Sequence, residues 1–146
     1  MRVLVQRSKK SSVSVNNNII GSIESGLVLL VGFTHEDGIS EIKKLAKKVV
    51  NLRIFDDENG VMNKSLLDVK GQILSISQFT LYGDASNGNR PSYISAMKGD
   101  DAIKLYEQFN DELRSYGVDV QTGKFGAYMD VKINNDGPTT IWLESR

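Results

Sequence analysis

The sequence predicts an α+β fold, a curled, barrel-like antiparallel β-sheet with two amphipathic helices packed against it. Short runs rich in Val, Ile and Leu fill the first third of the chain, separated by turn residues. Over two later stretches the apolar spacing changes from two residues to three and four. The length of 146 residues, 40% hydrophobic and 25% charged, suits one hydrophobic core and predicts a single domain over 1–146.

Residues 2–7, 11–15, 19–23 and 27–34 are the expected strands of the first third, with turns at Lys9-Lys10, Asn16-Asn17-Asn18 and Ser25-Gly26. The asparagines suit a tight hairpin because Asn tolerates positive φ. From Ser40, a candidate cap, Ile42, Leu45, Val49 and Leu52 mark one face of a helix. Glu41 and four lysines occupy the other face, which is either simply solvated or available to a phosphate. Asp56-Asp57-Glu58-Asn59-Gly60 lacks the alternating ligands and final glutamate of a calcium loop and reads as a surface turn. A long strand is expected over 72–81 and a polar loop over 83–99. A second helix should run from Asp100 to Tyr116, with Leu105, Tyr106, Phe109 and Leu113 inward and Gly117 as its stop. Strands over 127–133 and 139–144 complete the chain, the former with Met129, Val131 and Ile133 on one face.

Lys plus Arg and Asp plus Glu number 18 each, giving a formal net charge of zero. That disfavours a protein held to nucleic acid mainly through phosphates, but leaves room for a small footprint on an RNA end. The absence of cysteine excludes disulfides, thiolate nucleophiles and cysteine metal sites. The single histidine, His35, reads as a turn residue and has no nucleophile elbow near it. No apolar run approaches the roughly 18 residues of a membrane span. The start has no signal-peptide core, so a cytoplasmic location is expected.

Two short segments carry candidate chemistry. Strand parity places Leu74, Ile76, Gln78 and Thr80 on one face, apolar first and polar afterwards. Gln78 and Thr80 are then either a pocket floor or partners for neighbouring backbone groups. Asn135-Asp136-Gly137-Pro138 reads as a turn between strands, with exposed carbonyls and no N–H at Pro138.

The segments Ser77-Gln78-Phe79-Thr80-Leu81, Arg90-Pro91-Ser92-Tyr93, Thr122-Gly123-Lys124-Phe125-Gly126-Ala127 and Asn135-Asp136-Gly137-Pro138 occur in one order. Together with Met1-Arg2-Val3, Gln6-Arg7 and Val50-Asn51-Leu52-Arg53-Ile54-Phe55, they make the whole chain resemble the D-aminoacyl-tRNA deacylases. The resemblance implies hydrolysis of the ester joining a D-amino acid, or glycine, to the 3′-terminal adenosine of tRNA, as chiral proofreading in translation. It implies a homodimer with the active site at the interface, and neither metal nor cofactor. By the same resemblance Ser77, Gln78, Phe79 and Thr80 line the catalytic pocket. Gly137 and Pro138, joined by a cis bond, reach in from the partner and exclude L-amino acids. Phe125 and Met129 match contacts to the terminal adenosine, and Arg7 matches a support of the Gly-Pro loop. Two positions depart from the family's pattern. The loop Gly88-Asn89-Arg90-Pro91 has one basic residue where many relatives have two, and Thr139 stands where valine is common.

An aminoacyl ester is already activated, so such a site needs only to hold the carbonyl, stabilise the oxyanion and admit water. Backbone N–H groups around Phe79 and Thr80 are candidate oxyanion donors, and the substrate's 2′-hydroxyl can orient the water. Thr80 as a covalent nucleophile would need an adjacent base, which Gln78 is not. The rival readings are an editing domain for L-amino acids, a non-catalytic module for RNA ends, and a small-molecule esterase.

Overall fold

The computed structural model describes residues 1–146. In chain order the elements are β1 (Arg2–Ser8), β2 (Ser11–Val15), β3 (Asn18–Ile23), β4 (Gly26–Gly32) and α1 (Ile39–Asn51). There follow β5 (Phe55–Asp56), β6 (Met62–Lys64), the short α2 (Leu66–Val69), β7 (Gln72–Ser77) and a 3₁₀ turn at Phe79–Tyr82. α3 (Gly99–Arg114), β8 (Val120–Thr122), β9 (Asp130–Lys132) and β10 (Asn135–Glu144) complete the chain.

The α+β class and both amphipathic helices are as expected. α1 buries Ile42, Leu45, Ala46, Val49 and Val50, and α3 buries Tyr106, Phe109 and Leu113. α1 begins two residues earlier than a cap at Ser40 implies. Gly38 is its cap, and the Gly38 N–H donates to Glu41 Oε2 at 2.8 Å. Asn16 and Asn17, at φ 51° and 65°, form the tight β2–β3 turn.

Apart from the small β5–β6 pair, the strands make one five-stranded sheet in the order β10-β1-β4-β7-β8 and a three-stranded sheet, β3-β2-β9. Both are open, with no closure into a barrel. The second sheet and the pairs of β1 with β4 and β10 are antiparallel, but β4–β7 and β7–β8 are parallel. The purely antiparallel expectation fails there because α1 and α3 are crossovers that return the chain to the same end of the sheet. The helices cover one face of the large sheet and form the main core around Phe109, Leu29 and Ile73. The small sheet covers the other face through Val13 and Ile23, packed on Val28, Leu74 and Ile76. Met129, Val131 and Ile133 join this second core on a common face, although only 130–132 is strand.

The chain ends meet at one buried carboxylate. The Met1 ammonium lies 2.7 Å from Asp37 Oδ2 and donates to Ser145 Oγ at 2.8 Å. Arg146 Nη2 lies 2.6 Å from the other oxygen of Asp37.

Candidate active site

β7 ends at Ser77, and the long strand expected over 72–81 does not continue past it. The Gln78 N–H makes the last bond to β4, donating to Val31 O at 2.7 Å, and the backbone then winds into the 3₁₀ turn. Gly32 permits this turn to sit tight against β4. A Cβ on Gly32 would lie 2.9 Å from Gln78 O and 3.3 Å from Leu81 Cβ. Strand parity therefore does not place Thr80 beside Gln78. The turn brings them together instead, and Gln78 Nε2 donates to Thr80 Oγ1.

Beyond the end of β7 opens a cavity of about 590 Å³. Ser77, Gln78 and Phe79 at the end of β7 line it, together with Phe125 and Met129 from the segment before β9. The chain brings the latter two in by a turn closed between Ala127 N–H and Lys124 O at 3.1 Å, with Gly126 at φ +78°. Phe125 is held from behind by Tyr106, at 5.9 Å between ring centroids. Gly123 makes room for Met129, whose sulfur would lie 2.5 Å from a Cβ added there. No charged side chain lines this cavity, and 13 of its 18 lining residues are hydrophobic. Such a space suits a flat, largely apolar group with a few polar contacts at one end. No cluster of His, Asp and Glu able to hold a metal occurs in the chain.

Gly137 and Pro138 lie elsewhere. They belong to β10 itself, not to a turn before it. Gln6 pairs with Thr140 and Ser8 with Asn135, so residues 136–139 bulge out opposite Arg7 alone. The Gly137-Pro138 bond is cis, and Gly137 has φ +117°. Arg7 Nε donates to Asp136 O at 3.2 Å, and its Nη1 donates to Ile54 O at 2.8 Å. The carboxylates of Asp136 and Asp56 lie 3.4 and 3.6 Å from the guanidinium. Asn135 completes the clasp, a role that sequence reasoning missed. Its amide donates to Arg7 O and Thr139 O, and its Oδ1 accepts from Gln6 Nε2 and Thr140 Oγ1. An Asn that serves four partners within a bulge has no signature in a single sequence.

The strand register measures how far this clasp is from the cavity. Ser77, Val31, Val3 and Leu143 share one row across the sheet, whereas Ile73, Leu27 and Arg7 share the row that meets the bulge. Four residues along the strands and three strands across correspond to about 13 Å and about 14 Å, or about 19 Å between Ser77 and the bulge. The fold thus gathers Ser77, Gln78, Phe79, Phe125 and Met129 in one place, whereas Thr80 is outside the lining and is tied to it through Gln78. Arg7, Gly137 and Pro138 form a separate group. His35 joins neither, and its Nε2 lies 2.7 Å from Ile94 O. Tyr93, in the motif Arg90-Pro91-Ser92-Tyr93, lines the cavity and packs edge-on against Phe79 at 5.1 Å.

A profile of D-Tyr-tRNA(Tyr) deacylase matches residues 4–144. Two curated relatives, the D-aminoacyl-tRNA deacylases of Bacillus cytotoxicus and Bacillus cereus, are each 58% identical over 146 residues and aligned over the full length of both chains. The chain belongs to the D-Tyr-tRNA(Tyr) deacylase family. Among solved structures, the c-Myc DNA Unwinding Element Binding Protein superposes with a TM-score of 0.94 at 41% identity, covering 100% of this chain and 99% of that one. A probable eukaryotic D-amino acid tRNA deacylase gives a TM-score of 0.83 at 18% identity over 97% of each chain, which speaks for the deacylase fold alone. No helix of this family member is long and apolar enough to cross a membrane.

Proposed function

We propose that this chain acts as one domain that hydrolyses the ester between a D-amino acid, or glycine, and the 3′-terminal adenosine of tRNA. It proofreads chirality for translation in the cytoplasm. The observation that carries this reading is the uncharged cavity lined at once by Ser77, Gln78 and Phe79 and by Phe125 and Met129. The adenosine lies between Phe125 and Met129, which directs the ester toward the start of the 3₁₀ turn. The first N–H groups of such a turn have no acceptor within it. Those of Phe79 and Thr80 therefore serve the oxyanion that forms when water adds to the carbonyl carbon. As the intermediate collapses, the bond to the ribose oxygen breaks and that oxygen takes up a proton.

Thr80 positions the substrate and is not a nucleophile. Its hydroxyl oxygen already accepts from Gln78, so its proton is free to donate, and no base stands beside it. The 2′-hydroxyl of the adenosine orients the attacking water. The reaction needs no metal and no cofactor.

Selection against L-amino acids comes from Gly137 and Pro138 of a second copy. About 19 Å separates this bulge from the Ser77 of its own chain, so it can serve a site only in a partner. The active protein is therefore a homodimer with its sites at the interface, and Arg7 holds the bulge in place. Rejection of the wrong enantiomer by crowding suits a site that must accept many side chains.

The test is deacylation of matched D- and L-Tyr-tRNA by wild type and Thr80→Ala. Cleavage of the D-form alone is expected, with kcat of the variant down about tenfold and no acyl adduct on Thr80. Equal rates on both enantiomers refute the reading, and a trapped Thr80 ester refutes the assignment of Thr80. Turnover of simple esters without adenosine would instead identify a general esterase.

A further inference from the structure

The walls of the cavity have assigned roles, but part of its rim does not. Within the single chain three aromatic side chains of the lining are uncovered: Phe79 at 55% exposure, Tyr93 at 41% and Tyr128 at 96%. Phe79 and Tyr93 pack against each other, whereas Tyr128 has no ring partner. Its exposure follows from the turn that precedes it. Phe125, within that turn, and Met129 are half-buried against the two cores, and Tyr128, between the turn and Met129, is left exposed in the cavity lining.

The electrostatics restrict what this ring can meet. No lysine or arginine lines the cavity, and the whole chain has zero net charge. The site therefore lacks the basic groove by which proteins usually grip a nucleic-acid backbone. The 3′ end of tRNA is single-stranded, and its bases offer π-faces that an aromatic ring can hold without charge.

From these observations we infer that Tyr128 is a stacking platform for the base of the nucleotide preceding the terminal adenosine. The inference rests on the adenosine lying between Phe125 and Met129. Tyr128 is then a positioning residue that extends the footprint by one nucleotide and makes tRNA a better ligand than adenosine alone. One such stack is worth about tenfold in affinity. Because no phosphate is neutralised at the cavity, the gain should depend little on salt.

The experiment measures inhibition of D-Tyr-tRNA hydrolysis by adenosine and by the dinucleotide cytidylyl-(3′→5′)-adenosine, at low and high salt. In wild type the dinucleotide should inhibit about tenfold more tightly than adenosine. Tyr128→Ala should abolish that advantage while leaving inhibition by adenosine unchanged, and Tyr128→Trp should keep it. KM for D-Tyr-tRNA should rise in Tyr128→Ala with kcat preserved. A dinucleotide advantage that is absent from wild type, or that survives Tyr128→Ala, overturns the inference. So does a change in oligomeric mass in Tyr128→Ala, which would place the ring against the partner subunit. Failure of the underlying adenosine site looks different: adenosine then inhibits wild type and Phe125→Ala equally.

Discussion

At Gly137 a single hydrogen atom in place of a side chain decides the geometry of the bulge. A Cβ there would lie 2.6 Å from Thr139 Oγ1, 2.8 Å from Thr139 N and 2.9 Å from Arg7 Nη2, at a φ of +117° that L-residues rarely adopt. Gly137→Ala must therefore move the bulge or the Arg7 guanidinium that holds it. The expected outcome is a loss of D-specific kcat/KM of at least tenfold. The stability loss is expected to be about 1–3 kcal/mol, read from urea unfolding. Wild-type activity in this variant would remove the bulge from the site. Gly123 has the milder version of the same role, since its close neighbour is the flexible end of Met129. The motif containing Gly137 was legible in the sequence, but the need for glycine was not. The crowding atoms come from Thr139, two residues on, and from Arg7 on a neighbouring strand.

Among the elements, α3 positions the cavity. Its Tyr106 hydroxyl donates to Ser75 O of β7 at 2.6 Å, and the Tyr106 ring backs Phe125. Burial raises the Tyr106 pKa, so the phenol remains a neutral donor. Tyr106→Phe retains the ring behind Phe125 but leaves a buried carbonyl without its partner. It should cost about 1–2 kcal/mol in a urea titration, with KM for D-Tyr-tRNA little changed. A large rise in KM would mean that the hydroxyl, not the ring, places Phe125. Sequence periodicity identified both long helices and their inward faces, because burial of an apolar stripe is a local property of the pattern. Periodicity failed at residues 78–81. There the strand loses its partner at the end of β4, and the backbone turns although the side-chain alternation continues.

For the whole molecule, pH dependence of stability follows from groups spread over the surface and from two buried phenols, Tyr82 and Tyr106. Backbone N–H donors hold the carboxyls of Glu41 and Asp68 below their usual range, and the guanidinium of Arg2 does the same for Glu144. Their contribution is present above about pH 4.5 and is lost as the pH falls through their lowered values. Tyr82 is opposite in sense. Burial first, and the Asp37 carboxylate second, push its phenol up to about 12. Its contribution is complete below pH 10 and is lost between pH 10 and about 12. Urea midpoints should therefore fall below pH 4 and fall again above pH 10. Tyr82→Phe should reduce the alkaline fall and leave the part that belongs to the buried Tyr106 phenol, and an unchanged limb would assign the loss elsewhere.

The sequence by itself determined the α+β class, the two helix faces, the Asn16-Asn17 hairpin and the family, together with the two segments to which the proposal assigns its chemistry. These are encoded by neighbours along the chain, through period, turn chemistry and motif. Only the tertiary structure decided that two strand pairs run parallel, that a turn and not a strand brings Gln78 to Thr80, and that the Gly137-Pro138 bulge lies about 19 Å from its own chain's cavity. Each of these depends on which strands pair and in what register, and that is set by long-range packing of residues far apart in the chain.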